Sequence, residues 1–327
     1  MAFLINFSDT VLALRGGKRE NSFFLNLETL EICNLDIETS PGPWSPSLHE
    51  KIRAGILGNA FPVFCSGVLL PSNVKVEDDC TFWGHDSKNS IKVPARNLPA
   101  IASWDFGSIW LNGGYDRTEE SESKDSFIVS LDEVKDGPKL PFANSRHCMV
   151  RIDDSTYAMI GGSQGMHQLQ FYSKETDLWT TGPSTPSSHY AKFGCTVFEL
   201  QGSKAIAVVG GKEDADENPD PTINTSSRRV EFFKMDTLTW EEGPDLDEGL
   251  QGFALVTGKN GKILYTIGGM PSFGAVRVLD CSSGTCPDAW TRHGGKVDNQ
   301  AIGGSGGGFY NGGHVMVPDK MMNQKCL

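Results

Sequence analysis

Apolar residues along the chain fall into short runs rich in valine, isoleucine and aromatics, each closed by glycine, proline or a cluster of acidic residues. Stripes at helical spacing are nearly absent, so the pattern predicts strands and turns. One run recurs with a glycine pair at its end: TVLALRGG (10–17), SIWLNGG (108–114), TYAMIGG (156–162), AIAVVGG (205–211) and ILYTIGG (263–269). A sixth, FPVFCSG (61–67), carries Ser66 where the others have the first glycine. The pairs begin at 16, 66, 113, 161, 210 and 268, at intervals of 50, 47, 48, 49 and 58 residues. Such a period marks a stacked array of similar units rather than two unrelated domains.

Downstream of each pair comes a polar loop, then an alternating apolar segment such as QLQFYSKETD (168–177) or RVEFFKMDT (229–237). An aromatic then opens a turn-rich strand: Trp83, Trp179, Trp240 and Trp290. The shared phrase is WTTGP (179–183), WEEGP (240–244) and a degenerate VKDGP (134–138), after which another apolar run begins. Each unit therefore reads as four short strands. Gly16 and Gly17, Gly113 and Gly114, Gly161 and Gly162, Gly210 and Gly211, and Gly268 and Gly269 suit a backbone that takes positive φ or passes close to a neighbour. The aromatic fills the wedge between sheets, and radial stacking covers both faces of each sheet without long exposed edges.

The glycine pair, the alternating segment and the tryptophan, at this spacing over essentially the whole chain, resemble kelch repeats. The resemblance implies an all-β fold, a single six-bladed β-propeller of four-stranded kelch-type blades in which residues 1–327 form one domain. Blades are expected at 53–97, 98–145, 146–187, 188–249 and 250–309, with one more made of 1–52 plus 310–320. Ser66 and Val134 depart from the pattern, so their two blades are expected to be the least regular. After Trp290 a glycine-rich stretch (302–313) leads into HVMVPDK (314–320), and no second strand with a glycine pair follows. The ring is expected to close by pairing this C-terminal strand with the N-terminal blade. The alternative is a frayed tail, with AFLINF (2–7) supplying the inner strand.

Charge narrows the partners. Lys+Arg 29 against Asp+Glu 41 gives a net charge of -12, which disfavours nucleic acid and anionic membrane surfaces. No apolar run approaches the roughly 20 residues of a spanning helix, and MAFLINFSDTVLALRGG lacks the basic start of a signal peptide. The chain has 8 cysteines, too few for a disulfide scaffold and suited, in a reducing cytosol, to burial as thiols. Their placement favours bonds instead. Cys65 ends one strand and Cys80 begins its neighbour, Cys281 and Cys286 flank a tight turn, and Cys33 and Cys326 come to the same face of the first blade. Cys148 and Cys195, on inner strands of adjacent blades, fit either a bonded or a free state. Asn6 and Asn224 stand in N-x-S sequences that accept glycosylation. Together these point to an extracellular or secretory-pathway protein, with a cytoplasmic one as the alternative.

Motifs of catalysis are scarce. The 7 histidines show no metal-ligand spacing, and Cys281 and Cys286 lack the second half of a zinc knuckle. The 302–313 run lacks the G-K-[ST] ending of a phosphate loop, and no G-x-S-x-G elbow occurs. No metal, cofactor or catalytic residue is expected.

What remains is a surface. In kelch propellers the loops leading into the inner strands and the loops after the glycine pairs meet on one face, around the central channel, and loops on a rigid scaffold carry function. The first set offers Arg53, Arg96, Arg146, His147, His189, Tyr190 and Gln251; the second offers Tyr115, Arg117, Gln164, His167 and Phe273. Arginines at equivalent positions would make a basic ring inside an acidic protein, able to hold carboxylates or an anionic sugar by bidentate hydrogen bonds. The same side chains would serve equally to cap carbonyls or to form inter-blade ion pairs. The expectation is a monomeric, non-catalytic binding or scaffold module that recognises a protein, or an anionic glycan, through its channel-mouth loops. The alternative is a sugar-acting propeller enzyme, mutarotase- or lyase-like, using Arg146, His147 and His189. An open mouth with unpaired, inward-pointing Arg and His would favour the enzyme; side chains locked into backbone carbonyls would disfavour it.

Overall fold

The computed structural model describes residues 93–293, except 95, 97, 106, 107, 117, 131, 132, 214–225, 259, 260, 273 and 274. Outside that span it describes the backbone of strands at 7–15, 22–26, 32–33, 51–56, 62–67, 77–82, 90–92 and 313–318. Among the described residues there are strands and turns but no helix, and so none long and apolar enough to cross a membrane. The first strands are β1 (Phe7–Arg15), β2 (Ser22–Asn26) and β3 (Ile32–Cys33), then β4 (Lys51–Ile56), β5 (Pro62–Gly67), β6 (Glu77–Phe82) and β7 (Ser90–Pro94). Next come β8 (Ala100–Asp105), β9 (Ser108–Asn112), a short hairpin of β10 (Tyr115–Asp116) and β11 (Ser121–Glu122), then β12 (Ser126–Ser130) and β13 (Val134–Asp136). These are followed by β14 (Cys148–Arg151), β15 (Thr156–Ile160), β16 (Leu169–Ser173) and β17 (Leu178–Thr181). Then run β18 (Gly194–Leu200), β19 (Ser203–Val209), β20 (Val230–Lys234) and β21 (Thr239–Glu242). The last are β22 (Ala254–Gly258), β23 (Ile263–Ile267), β24 (Val276–Asp280), β25 (Thr291–His293) and β26 (Gly313–Pro318).

Antiparallel pairing gathers these strands into the blades of a β-propeller. Four blades carry described side chains: blade A (β8, β9, β12, β13), blade B (β14–β17), blade C (β18–β21) and blade D (β22–β25). Their first strands, β8, β14, β18 and β22, touch in that order and form the inner wall. The sheets β4–β7 and β26-β1-β2-β3 have the same four-strand form. In the latter Ala13 stands opposite Val315 and Leu14 opposite His314, so the C-terminal strand pairs with the N-terminal sheet and the frayed-tail alternative is set aside. The β10–β11 hairpin, after the glycine pair of blade A, is an element that the repeat pattern does not announce.

Burial explains the sequence of the second strands. β19 reads AIAVV without alternation because both its faces are covered. Ala205, Ala207 and Val209 pack with Phe232, Leu255 and Leu264 toward blade D, while Ile206 and Val208 pack with Val150, Ile160 and Phe233 toward blade B. Between blades A and B, Trp104 and Trp110 meet Met149, Tyr157 and Tyr172.

Two polar devices join neighbouring blades at repeat spacing. Both residues of each described glycine pair have positive φ. The first keeps its N–H within its own blade, as in Gly161 to the Gln168 carbonyl at 3.1 Å. The second donates to the next blade: Gly114 to Asn144 O at 2.8 Å, Gly162 to His189 O at 2.8 Å and Gly211 to Leu250 O at 2.7 Å. On the outer strands the tryptophans reach the other way, Trp179 Nε1 to Lys139 O at 2.9 Å, Trp240 Nε1 to Pro183 O at 3.1 Å and Trp290 Nε1 to Pro244 O at 2.9 Å. Each acceptor sits in the Gly-Pro segment of the preceding blade. Val134 opens β13 in place of a tryptophan and has no such donor.

Candidate functional site

In all four described blades the residue two positions before the inner strand lies in the left-handed region: Leu98 (φ 61), Arg146 (φ 62), Lys192 (φ 59) and Gly252 (φ 68). Their backbones are linked, Arg146 N–H to Leu98 O at 3.0 Å and Gly252 N–H to Lys192 O at 2.9 Å. This conformation costs a residue with a Cβ roughly 1–3 kcal/mol and persists where surrounding bonds hold it. The equivalence drawn from charge differs from this one. Arg96 stands two residues before Leu98, and Arg53 lies inside β4, opposite Cys65 in β5. Position two before the strand is set by backbone shape, so Arg53, Arg96 and Arg146 are not equivalents.

Most of the expected polar side chains are tied into the scaffold. Arg96 is nearly buried, with Nη1 2.5 Å from Asp116 Oδ2 and Nη2 3.7 Å from Asp125, and its guanidinium lies 5.8 Å from the Phe127 ring centre. His147 is buried and its Nε2 donates to Asn112 Oδ1 at 2.7 Å. His189 Nε2 donates to Glu231 Oε2 at 2.8 Å, both side chains being buried. Burial pushes the Glu231 carboxyl up, but hydrogen bonds from His189 and Ser187, with the His189 charge, outweigh it and leave the carboxyl below its ordinary value. Gln251 is buried, its backbone bridged to Met270. Tyr115 is half-buried in β10 opposite Glu122. Gln164 and His167 are exposed, the Gln164 N–H donating to Asn144 Oδ1 at 3.2 Å and His167 Nδ1 lying 3.2 Å from Thr185 O. Arg117, Phe273, Gly16, Gly17, Asn6, Asn224 and Cys326 lie outside the described residues.

Arg146 stands apart. Its guanidinium carbon sits 5.0 Å from the centre of the Tyr190 ring, and both side chains are half-buried. Each of the other described arginines is held by an oxygen: Arg96 by Asp116, Arg151 by Asp154, Arg228 by the Leu246 carbonyl, Arg229 by Glu213, Arg277 by Asp247 and Glu248, and Arg292 by Asp247. Arg146, among the described residues, meets only an aromatic face. The stack restrains the guanidinium, and its N–H fork keeps its donor capacity.

The segments under this pair are fixed. Asn144 accepts from Gly114 N–H through its carbonyl, donates to Gly161 O at 2.8 Å, and precedes Ser145, whose hydroxyl donates to Glu122 Oε1 at 3.0 Å. On the other side Tyr190 N–H donates to Lys212 O at 2.9 Å, and Ala191, Lys212 and Ser226 form consecutive bridges. Arg146 thus comes from the loop leading into blade B and Tyr190 from the loop leading into blade C. Sequence reasoning singled out both residues but not Asn112, Asp116, Glu122 and Glu231, the partners that immobilise their neighbours.

Two cysteine pairs are bonded among the described residues. Cys148 on β14 is bonded to Cys195 on β18, with Cα atoms 6.1 Å apart, and Cys281 is bonded to Cys286 across the turn where that pairing is expected. Cys65 and Cys80 stand opposite each other in the β5–β6 register. Among the described residues no group of three or more His, Cys, Asp and Glu side chains is placed to hold a metal ion. No protein-family model matches the chain, and a search of curated proteins finds no significant match.

Proposed function

We propose that the chain is a non-catalytic binding module, a six-bladed kelch-type propeller in which Arg146 and Tyr190 receive a carboxylate of a protein partner. The six-blade reading is supported by the sheets outside blades A–D, which repeat their four-strand form, and by contacts of β26 with β4, β4 with β8, and β1 with β22. The kelch reading is supported by the glycine pairs and tryptophans, which occupy the repeat positions and bridge adjacent blades. One blade then combines 1–52 with 310–320, and the others span 53–97, 98–145, 146–187, 188–249 and 250–309.

The observation that carries the binding reading is the Arg146 guanidinium, stacked on Tyr190 and, among the described residues, joined to no carboxylate or carbonyl. An acceptor of complementary shape is a carboxylate, which takes two parallel N–H donors. The sugar-acting alternative needs His147 and His189 as proton carriers, and both are committed to Asn112 and Glu231 in buried positions. An oxidising compartment fits the bonded cysteines, and we assign the protein to the secretory pathway or the extracellular space, with Asn224 as its glycan acceptor.

The test is calorimetric titration of an acetylated glutamate-rich peptide into the protein. Arg146→Met weakens binding about 10–100-fold, the loss of a charged hydrogen-bond pair, and rising salt weakens the wild type more than the variant. Equal binding by Arg146→Met and wild type overturns the reading. Binding of an anionic oligosaccharide in place of the peptide transfers the site to a glycan.

A further inference from the structure

Blades B and C belong to separate sheets, so no backbone ladder joins β14 to β18 where they touch. The Cys148–Cys195 bond crosses that boundary. Cys148 is the first residue of β14, two positions after Arg146, and Cys195 is the second residue of β18, five positions after Tyr190. Both cysteines are half-buried, within reach of a small dithiol; in the other bond Cys281 is buried and Cys286 half-buried, and that bond closes a turn within one blade. The bond therefore ties together the two loops whose side chains form the cation–aromatic pair.

We infer that Cys148–Cys195 is a reversible staple whose redox state controls ligand binding at Arg146 and Tyr190, an inference that rests on the binding reading above. In the reduced direction a thiolate of an external dithiol attacks one sulfur and releases the other as a thiolate. The second thiol of the reagent then displaces the mixed disulfide. The protein gains two thiols, with two electrons and two protons, and the dithiol leaves as its own disulfide. With the staple open, β14 and β18 lose their covalent tie, while the bonds of Gly162 to His189 and of Trp240 to Pro183 remain between the blades. The guanidinium and the ring are then held at their separation less tightly, so the N–H fork is less pre-oriented.

The experiment uses the full chain, purified without reductant, before and after dithiothreitol, with Cys148→Ser/Cys195→Ser and Cys281→Ser/Cys286→Ser variants in parallel. Thiol alkylation reports the state of each pair, deuterium uptake at residues 188–196 reports the staple without any ligand, and the glutamate-rich peptide reports the site. Opening the bond speeds exchange at 188–196 by roughly tenfold and weakens the peptide about fivefold or more. Cys148→Ser/Cys195→Ser behaves as the reduced protein and ignores dithiothreitol, while Cys281→Ser/Cys286→Ser keeps the full response. Free thiols at 148 and 195 in the unreduced protein, or exchange and affinity that do not move when the bond opens, overturn the inference. Peptide binding that is absent in both states, with exchange still responding, removes the binding reading and the control of it, and supports the staple alone.

Discussion

Gly162→Val lowers the unfolding free energy by about 3–5 kcal/mol, the sum of a side chain forced into a positive-φ position and an overpacked contact. Gly162 has φ 101, and a Cβ there would lie 2.4 Å from Asn144 Oδ1 and 2.6 Å from the Ser145 carbonyl oxygen. Neither yields easily: the Asn144 amide is buried and bonded to Gly161 and Gln164, with its Nδ2 also 2.7 Å from the added carbon, and the Ser145 carbonyl is backbone. The same substitution pushes the loop that carries Arg146, so peptide affinity falls together with stability. Gly202→Ala separates the two causes. Gly202 has φ 80 with nothing within 4 Å of the added carbon, so that variant loses only the conformational part, about 1–2 kcal/mol. Urea denaturation of both variants beside wild type reads the difference. Equal losses in the two would mean that the glycine pair is not a close contact between blades.

Glu231→Ala is the second large effect, about 3–5 kcal/mol, because it leaves the buried His189 ring without its carboxylate partner. The pair spans 42 residues of sequence and closes the loop leading into blade C onto β20 of the same blade. It also sets a pH dependence with a defined sign. The folded carboxyl sits below its ordinary value of 4.5, so its ionised form stabilises the fold above that value, and the contribution disappears as pH falls through the lower folded value. Asp247 adds to the same window: burial raises it, but Arg277 and Arg292 outweigh burial and hold it below 3.8. Wild-type stability therefore drops as the solution is acidified below about pH 4.5. Glu231→Gln starts lower at neutral pH and loses less over that window, which thermal melts across the range will read. Parallel acid limbs in the two proteins would contradict the assigned role of Glu231.

The devices that join the blades were legible because they are local. A glycine pair or a Trp-x-x-Gly-Pro phrase lies within one strand and its turn, so its residue types and period stand in plain sequence. The shape of the loops leading into the inner strands was not legible. Leu98, Arg146, Lys192 and Gly252 share a backbone angle and no side-chain property, and a reading by charge grouped Arg53 and Arg96 with Arg146 instead. The buried pairs were hidden for a different reason. His147 meets Asn112 across 35 residues, and nothing in either residue announces the other. Cys148 and Cys195 are 47 residues apart, one period of the repeat. That spacing set them on adjacent inner strands and left their bonding open until the strands were placed.

The proposed ring requires the C-terminal strand to pair with the N-terminal sheet. The most direct measurement is a cross-link between the two ends. Ala13 and Val315 stand opposite each other on β1 and β26, within the Cα separation that a disulfide spans. Ala13→Cys/Val315→Cys should oxidise within a single chain, give a faster-migrating band without reductant, and hold the termini together in intact mass and peptide mapping. A double variant that stays reduced, or links only between two chains, would contradict the ring.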